Sequence, residues 1–336
     1  MRRVTISDVA ELAKVSKATV SHVINNTRFV EGDTRNRVLL AVKELGYQPS
    51  LVARSLATNR TESIGIIVSD VTNNFFGDVL SGIEDICRPY NYRLLVCNTA
   101  EMLEREDQFI EMLLRQRVDG IIDAAASQKW DVLKRADIEH TPLVFADRAY
   151  EGLSGPYVGV KNCEGALLGV QHLVEGGHQK IGILAGFQRL SSMRDRLAGF
   201  RQAVYENGKY LPEEWIVTSP LSIVAGREAA LKLLTLPDPP TAMLIANNFL
   251  SLGALLAIKE LGLRCPDDIA MIGFDDHPWA AVSCPPLTVI RQPSRCVGQA
   301  AAKMLLDLIN GRELSETRIL LDCELVLRQS CCSNHS

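Results

Sequence analysis

The chain has 336 residues, of which 47% are hydrophobic and 23% are charged, so it is long enough for two or three domains with substantial cores. Its formal net charge of −4 is unevenly distributed. Residues 1–60 carry ten lysines and arginines against five acids, a net charge of +5, and the remaining residues carry −9. A basic end on an acidic body is typical of a protein that binds a polyanion, so the overall charge does not exclude a nucleic-acid partner.

The nine cysteines are scattered, and no two of them have the C-x-x-C spacing. This pattern excludes a secreted disulfide framework and a zinc motif, and it favours reduced thiols in the cytoplasm. The N-terminal sequence "MRRVTISDVAELA" has no continuous apolar core, so no secretory signal is predicted. One long uncharged run, residues 241–258, contains two adjacent asparagines, which favour a buried strand, a turn and a helix over a membrane span.

Three short helices are predicted in the first fifty residues. Thr5 and Asp8 have the spacing of a capping box that starts the first helix. A three-residue turn follows and ends at Ser16, a natural N-cap for the second helix. The third helix is predicted to be capped by Thr34 and to end at Gly46. Two short helices joined this tightly make a helix-turn-helix.

The second predicted helix has two different faces. At 100° per residue, its apolar residues share one stripe and its small or polar residues share the other side: Val20, Val23 and Ile24 against Ala18, Ser21, His22 and Asn25. In a helix-turn-helix this helix enters the major groove, where His22 and Lys17 can reach purine edges and Ala18 can contact a thymine methyl. The alternative is an ordinary solvated surface, because helix-turn-helix geometry also occurs in proteins that never bind DNA.

After residue 60 the sequence alternates between short β-branched runs and amphipathic stretches of ten or more residues. This alternation predicts an α/β fold with parallel sheets covered by helices on both faces. Eight runs are predicted as strands: "SIGIIVSD", "YRLLVCN", "DGIID", "TPLVFAD", "KIGILAG", "TAMLIAN", "IAMIGFD" and "LTVIRQ". No dinucleotide-binding, phosphate-loop, metalloprotease or nucleophile-elbow motif occurs, so we predict neither an enzyme nor a cofactor or metal site.

Polar and aromatic residues collect where these strands end, and in open α/β sheets ligands bind outside the carboxyl ends of the strands. The candidates are Asn73, Phe75, Phe76, Asp147, Arg148, Asn247, Asp275 and Gln292, with Arg196 on a helix. Carboxylates, amides, guanidinium groups and flat rings are the mixture that a sugar requires for its hydroxyls and its C–H faces. The alternative for each residue taken singly is a side chain that caps the following helix.

The segment "TISDVAELAKVSKATVSHVINNTRFVEGDTRNRVLLAVKELGYQPSLVARSL" resembles the DNA-binding head of the lactose/galactose repressor (LacI/GalR) family, most closely its purine and ribose repressors. The resemblance covers Thr5 to Leu56. It implies that Lys17, Ala18 and His22 read bases. The other residues that it implies to contact DNA are Thr5, Ser16, Thr19, Ser21, Asn25, Arg28 and Ala53. One departure is Lys14, where many members have glycine; we interpret it as an added solvated charge.

The same resemblance interprets "SLVARSL" as a hinge helix that folds on DNA and pairs with its twin in a second subunit. Leu56 then corresponds to a leucine that enters the minor groove, where an apolar wedge part-unstacks a base step and bends the duplex. The alternative is that Val52 and Leu56 pack on the body of the protein.

From there to about Arg328 the chain resembles the family's regulatory core, which has the two-lobed (type I) fold of periplasmic sugar-binding proteins. The nine strand-end and helix residues match positions that contact sugar in ribose-type members, and Leu221 lies where an aromatic residue is frequent. Asn74 and Asn248 depart from the usual Pro and Asp, which puts ribose itself in doubt. The implied domains are a head (1–48), a hinge and linker (49–61), a core (62–330; N-lobe 62–162 and 291–320, C-lobe 163–290 and 321–330) and a tail (331–336).

We therefore predict a cytoplasmic, homodimeric transcriptional regulator, most simply a repressor of a carbohydrate-related operon. It is expected to bind a pseudo-palindromic operator and to be switched by a small sugar-like effector in the cleft between the lobes. A purine-responsive, corepressed regulator is one alternative. A sugar-binding transport protein without DNA binding is another, and a sugar-acting enzyme that uses Asp147 and Asp275 is a third.

Overall fold

A computed structural model describes residues 4–25, 28–47, 60–124, 140–150 and 155–331. The chain forms two compact units, Met1–Glu62 and Ser63–Ser336. The predicted DNA contacts Ala53 and Leu56 lie outside the described residues.

The first unit is a three-helix head, as predicted. Its helices are α1 (Ile6–Ala13), α2 (Lys17–Asn25) and α3 (Gly32–Leu45). The carboxylate of Asp8 accepts hydrogen bonds from the backbone N–H of Thr5 at 2.7 Å and from its hydroxyl at 2.8 Å. The small core between the helices consists of Val9, Ala10, Ala13, Val20, Val23, Val38 and Ala41.

The start of α3 differs from the prediction. Thr34 does not cap this helix, because the helix begins at Gly32, two residues before Thr34. Glu31 is the N-cap residue, and its carbonyl accepts the backbone N–H of Arg35 at 2.9 Å. Thr34 is already helical, and its hydroxyl accepts a hydrogen bond from the Arg37 side chain instead. Gly46 follows the helix with a φ of 61°, a left-handed conformation that suits glycine.

The second unit contains two six-stranded sheets with helices on their faces, and each sheet defines one lobe. The N-lobe sheet has the order β11-β5-β4-β3-β1-β2, and all its neighbouring strands are parallel. Its strands are β1 (Ser63–Val68), β2 (Arg93–Asn98), β3 (Gly120–Asp123), β4 (Leu143–Ala146), β5 (Tyr157–Val160) and β11 (Arg318–Leu321). Its helices are α4 (Asn74–Cys87), α5 (Leu103–Arg115) and α11 (Ser294–Ile309).

The C-lobe sheet has the order β12-β10-β9-β8-β6-β7, with only β12 antiparallel to its neighbour. Its strands are β6 (Ile181–Ala185), β7 (Ile216–Thr218), β8 (Ala242–Ile245), β9 (Ala270–Phe274), β10 (Thr288–Arg291) and β12 (Glu324–Val326). Its helices are α6 (Asn162–Glu175), α7 (Ser191–Glu206), α8 (Ile223–Leu234), α9 (Asn248–Glu260) and α10 (Pro278–Val282). The chain therefore crosses between the lobes after β5, after β10 and again between β11 and β12.

Glycines allow the closest helix contact of the N-lobe. A Cβ atom on Gly298 of α11 would lie 2.0 Å from the carbonyl oxygen of Val79 on α4, and one on Gly82 would lie 2.1 Å from that of Arg295. Because no side chain fits at these distances, the pair fixes how closely α4 and α11 approach each other.

The eight predicted runs all form strands, so the α/β prediction is confirmed. Four further strands, β5, β7, β11 and β12, were not predicted. The uncharged run over 241–258 forms β8, a turn and most of α9, as predicted. Among the described residues, no helix is both long and apolar enough to cross a bilayer.

Candidate DNA-binding face and effector cleft

The predicted base-reading residues lie on the outer face of α2. Lys17 and Ala18 are exposed in the first turn, and His22 is half-buried one turn later. The opposite stripe is anchored in the head, since Val20 is completely buried and Val23 is 3% exposed. The two faces assigned from the sequence are therefore the two faces of the folded helix.

Local hydrogen bonds hold the polar residues of this face in place. The hydroxyl of Ser16 accepts the backbone N–H of Thr19 at 3.0 Å, the predicted N-cap, and the two hydroxyls are 2.9 Å apart. The Asn25 amide donates to the Ser21 hydroxyl at 3.2 Å. The cap satisfies one of the backbone N–H groups in the first turn of α2 that have no acceptor within the helix. Thr5 and Arg28 are exposed as well.

In the second unit, strand ends from both lobes meet in one cleft. Nine of the ten predicted effector residues line a single cavity: Asn73, Phe75, Phe76, Asp147, Arg148, Arg196, Asn247, Asp275 and Gln292. The first three and the two after β4 belong to the N-lobe. Arg196, Asn247 and Asp275 belong to the C-lobe, and Gln292 lies where the chain crosses between the lobes after β10. The space left between these side chains is about 20 Å³, roughly one water-sized sphere, so the lobes hold the cleft nearly closed.

Asp147 and Asp275 occupy matching places in the two lobes. Each follows a central strand directly, and each has a left-handed backbone, with φ values of 64° and 72°. Few residues other than glycine adopt this conformation, although aspartate tolerates it better than most, and such conformations concentrate at functional sites. Burial raises the pKa of Asp147 above its usual value, while the nearby charges of Arg148 and Arg196 oppose that shift.

The two arginines of the cleft are both engaged by the protein. Arg148 donates two hydrogen bonds to Glu101, at 2.8 and 2.9 Å. Arg196, 2% exposed, donates to the Asn162 side-chain oxygen at 2.7 Å and to the carbonyl of Ala246 at 2.6 Å. Its guanidinium carbon also lies 4.0 Å from the centre of the Phe274 ring, a cation–π distance.

Amide side chains complete the polar lining. Asn247 caps α9, because its side-chain oxygen accepts the backbone N–H of Phe249 at 2.9 Å. The side-chain nitrogen of Gln292 donates to Asp275, and the side-chain oxygen of Gln292 accepts no hydrogen bond from the described residues. Asn73 caps α4 in the same way that Asn247 caps α9. Asn73 and Asn247 therefore cap helices and also line the cavity, so the two interpretations of these residues are compatible.

The cavity lining leaves out one of the ten candidate residues and includes two others. Leu221 does not line the cavity; it packs between two hydrophobic clusters of the C-lobe, next to Gly186. Ser192 and Met193, both 2% exposed, line the cavity and were not predicted. They lie in the first turn of α7, and their sequence carries only the general signature of a helix start.

Hydrogen bonds also join the two lobes at the cleft. The side-chain nitrogen of Asn248 donates to the side-chain oxygen of Asn73 across the lobes at 2.8 Å. The backbone N–H of Ala149 donates to the hydroxyl of Ser191 at 3.1 Å. Together with the small volume of the cavity, these hydrogen bonds show that the two lobes are in contact at the cleft.

Comparisons with known proteins agree with this architecture. Residues 5–50 match the family described as bacterial regulatory proteins, lacI family, and residues 170–331 match a periplasmic binding protein-like domain. The HTH-type transcriptional repressor PurR of Vibrio vulnificus is 39% identical over 330 residues, 97% of this chain and 98% of the relative.

Two solved structures extend the comparison. The lac repressor dimer bound to operator and the anti-inducer ONPF has 32% identity and a TM-score of 0.89, covering 99% of this chain and 100% of its own. A putative ribose operon repressor from Burkholderia thailandensis has 36% identity and a TM-score of 0.74, covering 80% of this chain and 99% of its own.

Proposed function

The chain belongs to the lacI family of bacterial regulatory proteins and is a DNA-binding transcriptional repressor, not an enzyme, and we propose that a neutral, hydroxyl-rich sugar or polyol switches it from the interlobe cleft. The observation that carries this choice is the ion pair of Arg148 with Glu101, which compensates the charge of one of the two cleft arginines. The effector then changes the population of operator-binding molecules through its different affinity for open and closed lobes.

The charges at the cleft favour a neutral ligand over an acidic one. An acidic sugar or a phosphate is held best by a guanidinium without a carboxylate partner. The charge of Arg148 is compensated by Glu101, and Arg196 donates to two neutral oxygens of the protein. The carboxylates of Asp147 and Asp275 line the cavity as hydrogen-bond acceptors. A carboxylate accepts from hydroxyl groups and repels an anion, so the remaining lining suits a polyol.

The aromatic lining supports a small ligand. Phe75 and Phe76 are 5% and 2% exposed, and their rings meet edge to face with centroids 5.2 Å apart. Most of each ring is committed to the N-lobe core, so only a limited apolar surface is available to the C–H face of a ligand. The space of about 20 Å³ is too small for a sugar, so in this proposal the lining side chains or the lobes move apart when a sugar binds.

Calorimetric titration of the full chain tests the effector class. D-ribose and D-glucose are compared with gluconate, ribose 5-phosphate, hypoxanthine and guanine as probes. We expect heat of binding from a neutral sugar, and at least a tenfold loss of affinity in Asp147→Asn, because a bidentate acceptor for hydroxyls is lost. Asp267→Asn, at an exposed site distant from the cleft, is the matched control. Binding of acidic sugars alone would overturn the proposal.

A purine is the second candidate effector. The relatives named PurR are similar over almost the whole chain, and this similarity supports a purine as a corepressor. Binding of hypoxanthine or guanine, and of no sugar, in the same titration would favour this candidate. Operator affinity, measured with and without that ligand, then shows whether the ligand strengthens or weakens DNA binding.

For the head, we propose that Lys17, Ala18 and His22 read bases and that Ser16, Thr19, Ser21, Asn25, Arg28 and Thr5 contact phosphates or neighbouring bases. Ala53 and Leu56 are proposed to act in the minor groove, in a homodimer on a pseudo-palindromic operator. The net charge of +5 on residues 1–60 supports this assignment. Selection from random DNA duplexes, followed by operator binding at several salt concentrations, tests it.

A further inference from the structure

A row of three polar side chains joins the lobes beside the cleft. Asn73 precedes α4 of the N-lobe, and its side-chain oxygen accepts from the backbone N–H of Phe75 at 3.1 Å and from Asn248 Nδ2 at 2.8 Å. The same Nδ2 atom of Asn248, the first residue of α9 in the C-lobe, also contacts Nε2 of His277, which precedes α10. An amide NH₂ group has two hydrogens and can serve both contacts.

The cap of α4 fixes the direction of every bond in this row. The amide of Asn73 cannot be reversed without losing the cap, so its oxygen must face Asn248. Asn248 must therefore present its NH₂ group to Asn73 and to the ring. Nε2 of His277 is then an acceptor, which requires a neutral ring whose proton is on Nδ1.

We infer that this row is a proton-sensitive latch, closed while His277 is neutral and released when the ring is protonated. Asn73, Asn248 and His277 are 8%, 2% and 6% exposed, so the contacts between them are largely shielded from bulk solvent and losing one has a cost. A protonated ring would place an N–H donor against the NH₂ group of Asn248. Reversing the Asn248 amide would relieve that clash, but it would place two acceptor oxygens against each other at Asn73.

The charged groups that face His277 are held by partners of their own. His277 lines a second cavity, of about 220 Å³, next to the cleft, and the charged groups across it come from α4, α11 and the ends of β9 and β10. Their bonds are Asp276 with Arg291 at 2.6 Å and with Arg328 at 2.7 Å, Arg295 with Asp85 at 2.8 Å, Asp78 with the Ser294 hydroxyl at 3.1 Å, and Asp275 with Gln292. Histidine is the side chain in this group whose charge ordinarily changes between pH 5 and 8.

Hydrogen exchange of the full, ligand-free chain tests the latch. Peptides over residues 73–80 and 246–252 are followed at pH 7.5 and 5.5, with rates corrected for the chemical pH dependence of exchange. We expect opening to increase by about fivefold at pH 5.5, the shift produced by losing one buried neutral hydrogen bond. In His277→Gln, whose side-chain oxygen can accept at both pH values, the increase should disappear.

Two further variants separate the latch from general instability. Asn248→Ala should open both peptides at both pH values, and His178→Gln, which removes a ring that contacts Thr241 elsewhere in the C-lobe, should behave as wild type. Nitrogen NMR of histidine-labelled chain, assigned with His277→Gln, should show the Nδ1–H form at pH 7.5. An equal acid response in wild type and His277→Gln, or a proton on Nε2 at pH 7.5, would overturn the inference. No effector or operator is needed, so the outcome is independent of the proposed function.

Discussion

Arg148 and Glu101 form a two-bond ion pair at the carboxyl edge of the N-lobe sheet, with N–O distances of 2.8 and 2.9 Å. Their side chains are 6% and 25% exposed. The pair cancels the positive charge of Arg148 next to Asp147, so a lining that contains two arginines attracts anions less than its composition indicates. The proposed preference for a polyol over a sugar acid depends on this contact.

Replacing Glu101 with Gln should therefore change both stability and ligand preference. The free energy of unfolding should fall by about 1–3 kcal/mol, because a largely buried guanidinium loses its charged partner. Affinity for gluconate should rise relative to a neutral sugar, since the Arg148 charge becomes uncompensated. Urea unfolding and calorimetric titration measure the two effects, with Glu104→Gln, an exposed neighbour, as the control. Unchanged preference among the sugars would mean that Arg148 does not face the ligand.

A buried acid in β3 predicts a specific pH dependence of stability. Asp123 is completely buried, and neither of its carboxylate oxygens accepts a hydrogen bond from the part of the chain that the structure describes. Burial, and then the charge of Glu106, raise the pKa of Asp123 well above its usual value. The folded chain therefore keeps this proton at pH values where the unfolded chain has lost it.

It follows that Asp123 lowers stability as the pH rises from its ordinary pKa to its raised folded pKa, by about 1.4 kcal/mol per pH unit. Asp123→Asn should remove this slope and should be more stable than wild type above neutral pH. Urea unfolding at pH 5 to 8 measures the difference, and Glu316→Gln at an exposed loop serves as the control. Parallel stability curves for wild type and Asp123→Asn would contradict the assignment.

The cleft was largely predictable because parallel strands place their carboxyl ends at one edge of a sheet. Asn247 and Asp275 follow apolar runs directly, so their convergence depends only on the order of the strands. The bond from Arg148 to Glu101 was not predictable, since it joins residues 47 apart through the relative placement of β2 and β4. The position of Leu221 was not predictable for a related reason: it packs between two hydrophobic clusters, which no local sequence pattern records.

The backbone conformation of Lys14 could not be inferred from its side chain. It was interpreted as an added solvated charge, but it ends α1 with a φ of 55°, a left-handed conformation that favours glycine. Lys14→Gly should stabilise the head by about 1 kcal/mol. The same change at Lys43, inside α3, should destabilise it by about 1 kcal/mol. Amide exchange of α1 and α3 in the full chain measures both, and a loss of stability in Lys14→Gly would show that the turn needs the lysine side chain.

His22 gives the most direct test of the head. Val20 and Val23 hold α2 in the core, so His22→Ala should leave the helix folded and change only its outer face. If His22 reads a base, discrimination at one position of each operator half-site should fall by about 1–3 kcal/mol. A comparison of the DNA sequences that wild type and the variant select from random duplexes measures this change. Lys43→Ala, exposed on α3, should leave the selected sequences unaltered, and an unchanged profile for His22→Ala would remove His22 from the base-reading residues.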